Sequence, residues 1–90
     1  MQSVDITNMK LTIITPDKLA YEGDATAVTV PGSAGSFQIL QDHAPIVSTL
    51  EDGKVIIRST QGHTVFVIKG GVVEAKDNNI TVLAEGIVEE

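Results

Sequence analysis

Residues 54–84 read KVIIRSTQGHTVFVIKGGVVEAKDNNITVLA, and this stretch decides the fold. Four β-rich runs, Lys54–Ser59, Thr64–Lys69, Val72–Lys76 and Ile80–Ala84, are separated only by turn residues. Gln61-Gly62 and Asp77-Asn78-Asn79 are tight-turn sequences, because Gly, Asn and Asp tolerate positive φ. Gly70-Gly71 inside an otherwise apolar run marks a bulge or sharp bend. Connections this short join antiparallel neighbours, since a parallel crossover needs a dozen or more residues. The stretch is therefore predicted to be an antiparallel meander.

Working outward, the turn signals keep a spacing of about eight to twelve residues, as in sandwiches and barrels. Leu11–Thr15 stops at Pro16-Asp17. Ala25–Val30 alternates and breaks at Pro31-Gly32, Phe37–Leu40 is a short strand, and Ile46–Leu50 follows Pro45. No window holds the three-and-four apolar spacing of a helix. Composition agrees: Val and Ile total 21 residues against five Leu, and with nine Thr a third of the 90 residues is β-branched. Such side chains are stiff at χ1 and fit a pleated surface. The expected fold is all-β, a flattened two-sheet antiparallel β-sandwich or barrel of about eight to ten strands. Residues 10–88 form this one domain, and residues 1–9 read as a short N-terminal extension or a cloning remnant. Strands such as Thr64–Ile68, apolar on both faces, suit a sheet with one side in the core and the other against a partner.

A net charge of −6 opposes nucleic-acid binding, which needs clustered cations to displace counterions. It also opposes attraction to anionic lipid. No apolar run reaches the roughly 20 residues of a spanning helix, and residues 1–8 lack the basic and apolar regions of a secretory signal. The chain has no Cys. A soluble protein of a reducing compartment is the expectation.

The candidate chemical motifs fail one by one. Pro31–Ser36 is Gly-rich, but no Gly-Lys-Ser/Thr ends it, so it is a surface turn rather than a phosphate loop. His43 and His63 stand twenty residues apart with no Cys, too little for a zinc site. Ser36, His43 and Asp42 supply triad residue types without a nucleophile elbow. The carboxylate pairs Glu22/Asp24 and Glu51/Asp52 fall in turn-like sequence, where acids serve solubility. No catalytic residue, cofactor or metal is expected. A carbohydrate or small-ligand module is the alternative, disfavoured by only three aromatic residues, Tyr21, Phe37 and Phe66.

The segment Val30 to Leu50, with its Pro-Gly turn, the Phe37–Leu40 strand and His43-Ala44-Pro45, resembles the signature region of the ATP synthase epsilon subunit. Thr15-Pro16 with Tyr21-Glu22-Gly23 is similar to that family's opening hairpin. Lys69–Ala75 resembles its Gly-Gly-hydrophobic element, and Asn79–Glu85 its closing strand. The resemblance runs from about Lys10 to Glu85. Gln38 stands where the family usually has Gly, and Gln41-Asp42 where Pro-Gly or Pro-Asn precedes the His. The family usually continues into a two-helix hairpin, whereas this sequence stops at Glu90, as either a naturally short form or a shortened chain would. The resemblance implies a non-catalytic rotor subunit that couples the gamma subunit to the membrane c-ring, peripheral at the cytoplasmic face of the inner (plasma) membrane. It places Gly32, Ser33, Ala34, Gly35 and Ser36, with His43, Ala44 and Pro45, against the c-ring. It offers Ile39, Leu40, Ile46 and Val47 for gamma, and without the hairpin it implies no tight ATP binding.

Overall fold

The computed structural model describes residues 9–88. Eight strands follow one another: β1 Met9–Ile14, β2 Leu19–Ala25, β3 Ala27–Val30, β4 Phe37–Leu40, β5 Ile46–Leu50, β6 Gly53–Ser59, β7 Gly62–Lys76 and β8 Asn79–Val88. No helix interrupts them. The all-β expectation holds, and its two layers are joined in an unexpected way. β7 is a single strand of 15 residues, where the sequence suggested two. Its first half pairs with β6, from Ser59↔Gly62 to Gly53↔Ile68. Its second half pairs with β5, from Leu50↔Gly71 to Ile46↔Ala75. β8 runs antiparallel to β7 along both halves.

Two layers result, which share β7 and β8. Layer I is ordered β4-β3-β6-β7-β8 and layer II β2-β1-β8-β7-β5. The crossing point is Gly70-Gly71, with φ of 47° and 136°. A Cβ on Gly71 would overlap the Leu83 carbonyl oxygen and press on Ala84 Cα at 3.0 Å. Only glycine permits both that approach and that φ.

Alternation does the rest. Met9, Leu11 and Ile13 of β1, Val55 and Ile57 of β6, and Ile80, Val82 and Ala84 of β8 are buried, while their neighbours point outward. Full burial of a side chain such as Leu11 or Ile57 stabilises by about 1.5–3 kcal/mol. Tyr21 of layer II meets Phe66 of layer I edge-on, with ring centroids 5.6 Å apart. Such a contact adds about 0.5–1.5 kcal/mol beyond area burial.

Several sequence expectations shift. Residues 1–8 of the expected extension lie outside the described residues, but Met9 opens β1 and is 1% exposed, so the packed unit starts one residue earlier. Ala25–Val30 is not one strand: it divides at Thr26, where β2 of layer II ends and β3 of layer I begins. There the Thr26 amide and Oγ1 both donate to the Arg58 carbonyl, at 2.8 and 3.2 Å. One strand pair is parallel, β1 with β8, because the rest of the chain serves as the crossover between them. Asp77 and Asn78 do take positive φ, 53° and 63°, in the β7–β8 turn.

Gly71→Ala should lower stability by more than about 2 kcal/mol. Gly62, at φ 129° with open space around it, carries only the conformational cost, about 1 kcal/mol for Gly62→Ala. Denaturant unfolding of both variants checks the contrast.

Candidate docking site

The two loops singled out in the sequence are built differently and lie at opposite ends of β4. The first, residues 31–36, joins β3 to β4. Pro31 and Gly32 are buried, and Ser33, Ala34, Gly35 and Ser36 form an exposed tip. Gly32 donates to the Val30 carbonyl and accepts from the Gly35 amide at 2.9 Å. A side chain on Gly32 would run into the Gly35 carbonyl and the Phe37 ring, at 2.7 and 2.8 Å. The loop is then tied to layer II. Ser33 N–H donates to the Thr49 carbonyl (3.0 Å), Glu51 N–H to the Pro31 carbonyl (2.9 Å), and Thr49 Oγ1 to Ser33 Oγ (3.0 Å). Gly32 also bridges to Leu50, the end of β5. With its backbone groups paired in this way, the tip projects from a fixed base.

The second loop, residues 41–45, joins β4 to β5 and leans on the β7–β8 turn. Asp42 sits at φ 65°. Its amide donates to Asn78 Oδ1 at 2.7 Å, and Asn78 Nδ2 donates back to Asp42 Oδ1 at 3.2 Å. The Asn78 carbonyl also accepts from the Lys10 amide, so one residue ties the loop, the turn and β1 together. His43 donates its amide to the Leu40 carbonyl, and its Nδ1 lies 2.7 Å from the Ala44 carbonyl oxygen. The imidazole is half-buried, and Ala44 and Pro45 are exposed. A shallow hollow of about 360 Å³ lies between this loop and the turn, lined by Asp42, His43, Ala44, Pro45, Asp77 and Asn78. Asn78 was missed as a positioning residue. Only its place in a tight turn was visible in the sequence.

The residues offered for gamma separate. Ile39 is 1% exposed and belongs to the core, and Ile46 is half-buried against it. These two inward positions of β4 and β5 leave Leu40, at 50% exposure, and Val47, at 70%, as surface residues. The latter pair lie on different layers: Leu40 is opposite Ala27 of layer I, Val47 opposite Glu74 of layer II.

Enzymatic groupings do not assemble. Ser36 lies at the far end of β4 from Asp42 and His43. Glu22 and Asp24 are outward-facing residues of strand β2, paired with Thr12 and Lys10, not turn residues as the sequence suggested. Among the described residues no three His, Cys, Asp or Glu side chains gather to hold a metal. Tyr21, Phe37 and Phe66 pack against the core and are not presented as flat platforms for a sugar.

The class this defines is a small all-β sandwich with rigid, exposed loops, suited to docking. The ATP synthase delta/epsilon chain β-sandwich domain matches residues 8–90, and the chain belongs to that family, whose members are regulatory or structural subunits and not catalytic ones. The ATP synthase epsilon chain of Leptospira interrogans is 43% identical over 77 residues, 86% of this chain and 61% of the relative. The chain thus spans about three-fifths of the length of that relative. The epsilon chain of Caulobacter vibrioides is 32% identical over 84 residues, 93% of this chain and 98% of its own length. A chain in the Euglena gracilis mitochondrial ATP synthase OSCP/F1/c-ring structure superposes with a TM-score of 0.85 at 20% identity, covering 96% of this chain and 56% of that one. One in the Tetrahymena thermophila central stalk/c-ring structure gives 0.73 at 21%, covering 90% and 66%. These two likenesses show the fold.

Asn78→Gly keeps the positive φ and removes both side-chain bonds to Asp42. The Asp42 amide should then exchange with deuterium about tenfold faster, the loss of roughly 1.4 kcal/mol of hydrogen bonding, while the amides of β6 keep their protection. Hydrogen exchange read by NMR measures this.

Proposed function

We propose that this chain is a rotor subunit of a proton-translocating ATP synthase, coupling the gamma subunit to the membrane c-ring during ATP synthesis. The observation that carries the reading is the family match across residues 8–90. The epsilon chains among its relatives and the stalk and c-ring assemblies that hold its structural neighbours support it. The subunit works peripherally, at the cytoplasmic face of the inner (plasma) membrane, and catalyses nothing itself. Torque transmission asks for a body that does not shear. Layers that share two continuous strands resist shear better than two sheets held by side chains alone.

The loop Gly32–Ser36, with its exposed tip Ser33–Ser36, and the segment His43–Pro45 face the c-ring in this reading. Because they flank β4, one partner reaches both by lying along that edge strand. Bonds from Ser33 to β5 and from Asp42 to Asn78 hold the two contact points at a fixed separation. A carbohydrate module would use its aromatic rings, which here are occupied in packing.

Cysteines at Ser36 and Ala44, both exposed, should each cross-link to the polar loops of the c-ring in the assembled enzyme. A cysteine at Thr60, in the β6–β7 turn, should not. The chain should co-purify with gamma, and His43→Ala should fold and still assemble. Failure of the unaltered chain to join gamma or the ring contradicts the reading.

A further inference from the structure

The chain passes from layer II to layer I through Glu51-Asp52-Gly53, between β5 and β6. Packing dictates the glycine. A Cβ at position 53 would stand 2.8 Å from Pro31 Cβ and 3.3 Å from its Cγ, so no side chain fits there. The residue before Asp52 is tied to the same proline, with Glu51 N–H donating to the Pro31 carbonyl at 2.9 Å. Asp52 lies at a bend between these two fixed points, and its side chain is exposed. Gly53 pairs with Ile68 as the last rung of the β6–β7 ladder, and strand ends open at little cost. Asp52 is also the one Asp or Asn in the sequence that glycine follows. Among the described residues the other candidates are shielded. The amides after Asp17 and Asp42 donate to the carbonyls of Thr15 and Leu40, at 3.3 and 3.1 Å. Asp24 precedes the buried Ala25 inside β2, and Asn79 precedes the β-branched Ile80 in β8. Asn78 has both Oδ1 and Nδ2 engaged with Asp42, and its own side chain screens the amide that follows Asp77.

A carboxyl followed by glycine can close on its own main chain. With no Cβ beside it, the amide nitrogen is unhindered, and glycine reaches backbone conformations that other residues avoid. We propose that Asp52-Gly53 is a site of spontaneous backbone modification, at which aspartate converts to isoaspartate, and that the conversion releases the Glu51 amide from Pro31. The Gly53 nitrogen attacks Asp52 Cγ and gives up its proton as the Cγ–O bond breaks and water leaves. The product is a five-membered succinimide. Water then adds to one of its two carbonyls: opening at Cγ restores aspartate, and opening at the main-chain carbonyl gives isoaspartate. One water is released and one is consumed, so the step needs no other reactant. In isoaspartate the chain runs through Cβ and Cγ, which adds a methylene between Asp52 Cα and the Gly53 nitrogen. The span from Glu51 to Gly53 then no longer matches Pro31. Gly53 is continuous with β6 and packed on the proline ring, whereas Glu51 holds the loop through a single main-chain bond, and that bond gives way.

The test is incubation of the full purified chain for weeks at physiological temperature in heavy-oxygen water, followed by peptide mass spectrometry with electron-transfer fragmentation. Isoaspartate and heavy oxygen should accumulate first and fastest at Asp52. Asp52→Glu, which would have to close a six-membered ring, should lose the signal. Asp52→Asn, which closes the same five-membered ring with ammonia leaving, should react faster than the unaltered chain. Position 52 is exposed, and circular dichroism checks that both variants fold. In the isomerised fraction, separated by ion exchange, the Glu51 amide should exchange with deuterium about tenfold faster, as for one lost hydrogen bond. The amides of β8 should keep their protection. No isoaspartate at Asp52, or faster accumulation at another residue, overturns the site. An unreactive Asp52→Asn means that the fold bars the ring, and overturns it too. Isoaspartate at Asp52 with unchanged Glu51 exchange overturns the proposed release.

Discussion

Everything in this domain depends on the bend of β7 at Gly70-Gly71. A strand of 15 residues would span about 50 Å if straight, at roughly 3.3 Å per residue. Bent, it gives one half to each layer and carries β8 with it. The close approach of Gly71 to the backbone at Leu83 and Ala84 holds the bend, and the positive φ of both glycines makes it possible. The layers therefore share a continuous backbone, and the core between them, from Met9 to Ala84, is clamped by hydrogen bonds as well as by packing. At the opposite edge, the ties among Pro31, Gly32, Ser33, Thr49, Leu50 and Glu51 join the layers a second time. A coupling element benefits from this construction because relative sliding of its layers would break main-chain bonds.

Two kinds of surface follow from the same frame. The loops flanking β4 are polar and small-residue-rich, and their bases are tied down, which suits contact without adaptation. The outer face of layer I is broad, apolar at its centre (Val65, Val67, Val88) and cationic at its border (Lys54, Arg58, Lys69). β4 forms the boundary between them, with its edge toward one and its outward residues, Gln38 and Leu40, toward the other.

Most of the strands were legible because their alternation is local. Leu11–Thr15, Phe37–Leu40, Ile46–Leu50 and the meander from Lys54 announce themselves through β-branched runs and turn residues. β2 did not: Leu-Ala-Tyr-Glu-Gly-Asp-Ala has no apolar period, contains residues depleted in strands, and is held by its partner β1 along a sheet edge. The same residues resembled a family hairpin, and that is how the hairpin was visible at all. The union of the two runs into β7 was hidden because Gly70-Gly71 reads equally well as a turn or a bend. The parallel pairing of β1 with β8 was out of reach, since it joins residues about seventy positions apart. At the candidate site, His43 and the Gly32–Ser36 loop were singled out by resemblance alone, and their neighbours supply no local pattern that would mark them. Ile39 was misplaced because a four-residue strand does not reveal which of its sides is buried. The role of Asn78 was invisible, since its partner Asp42 is 36 residues away.

The central claim is that this sandwich stands between gamma and the c-ring. An electron cryo-microscopy map of the intact ATP synthase from the same cells tests it most directly. The account expects the eight-stranded body at the foot of the stalk, with β4 and its flanking loops against the ring and gamma bound to the same body. A map of the complete enzyme with that position filled by another chain, or with this sandwich elsewhere, would contradict it.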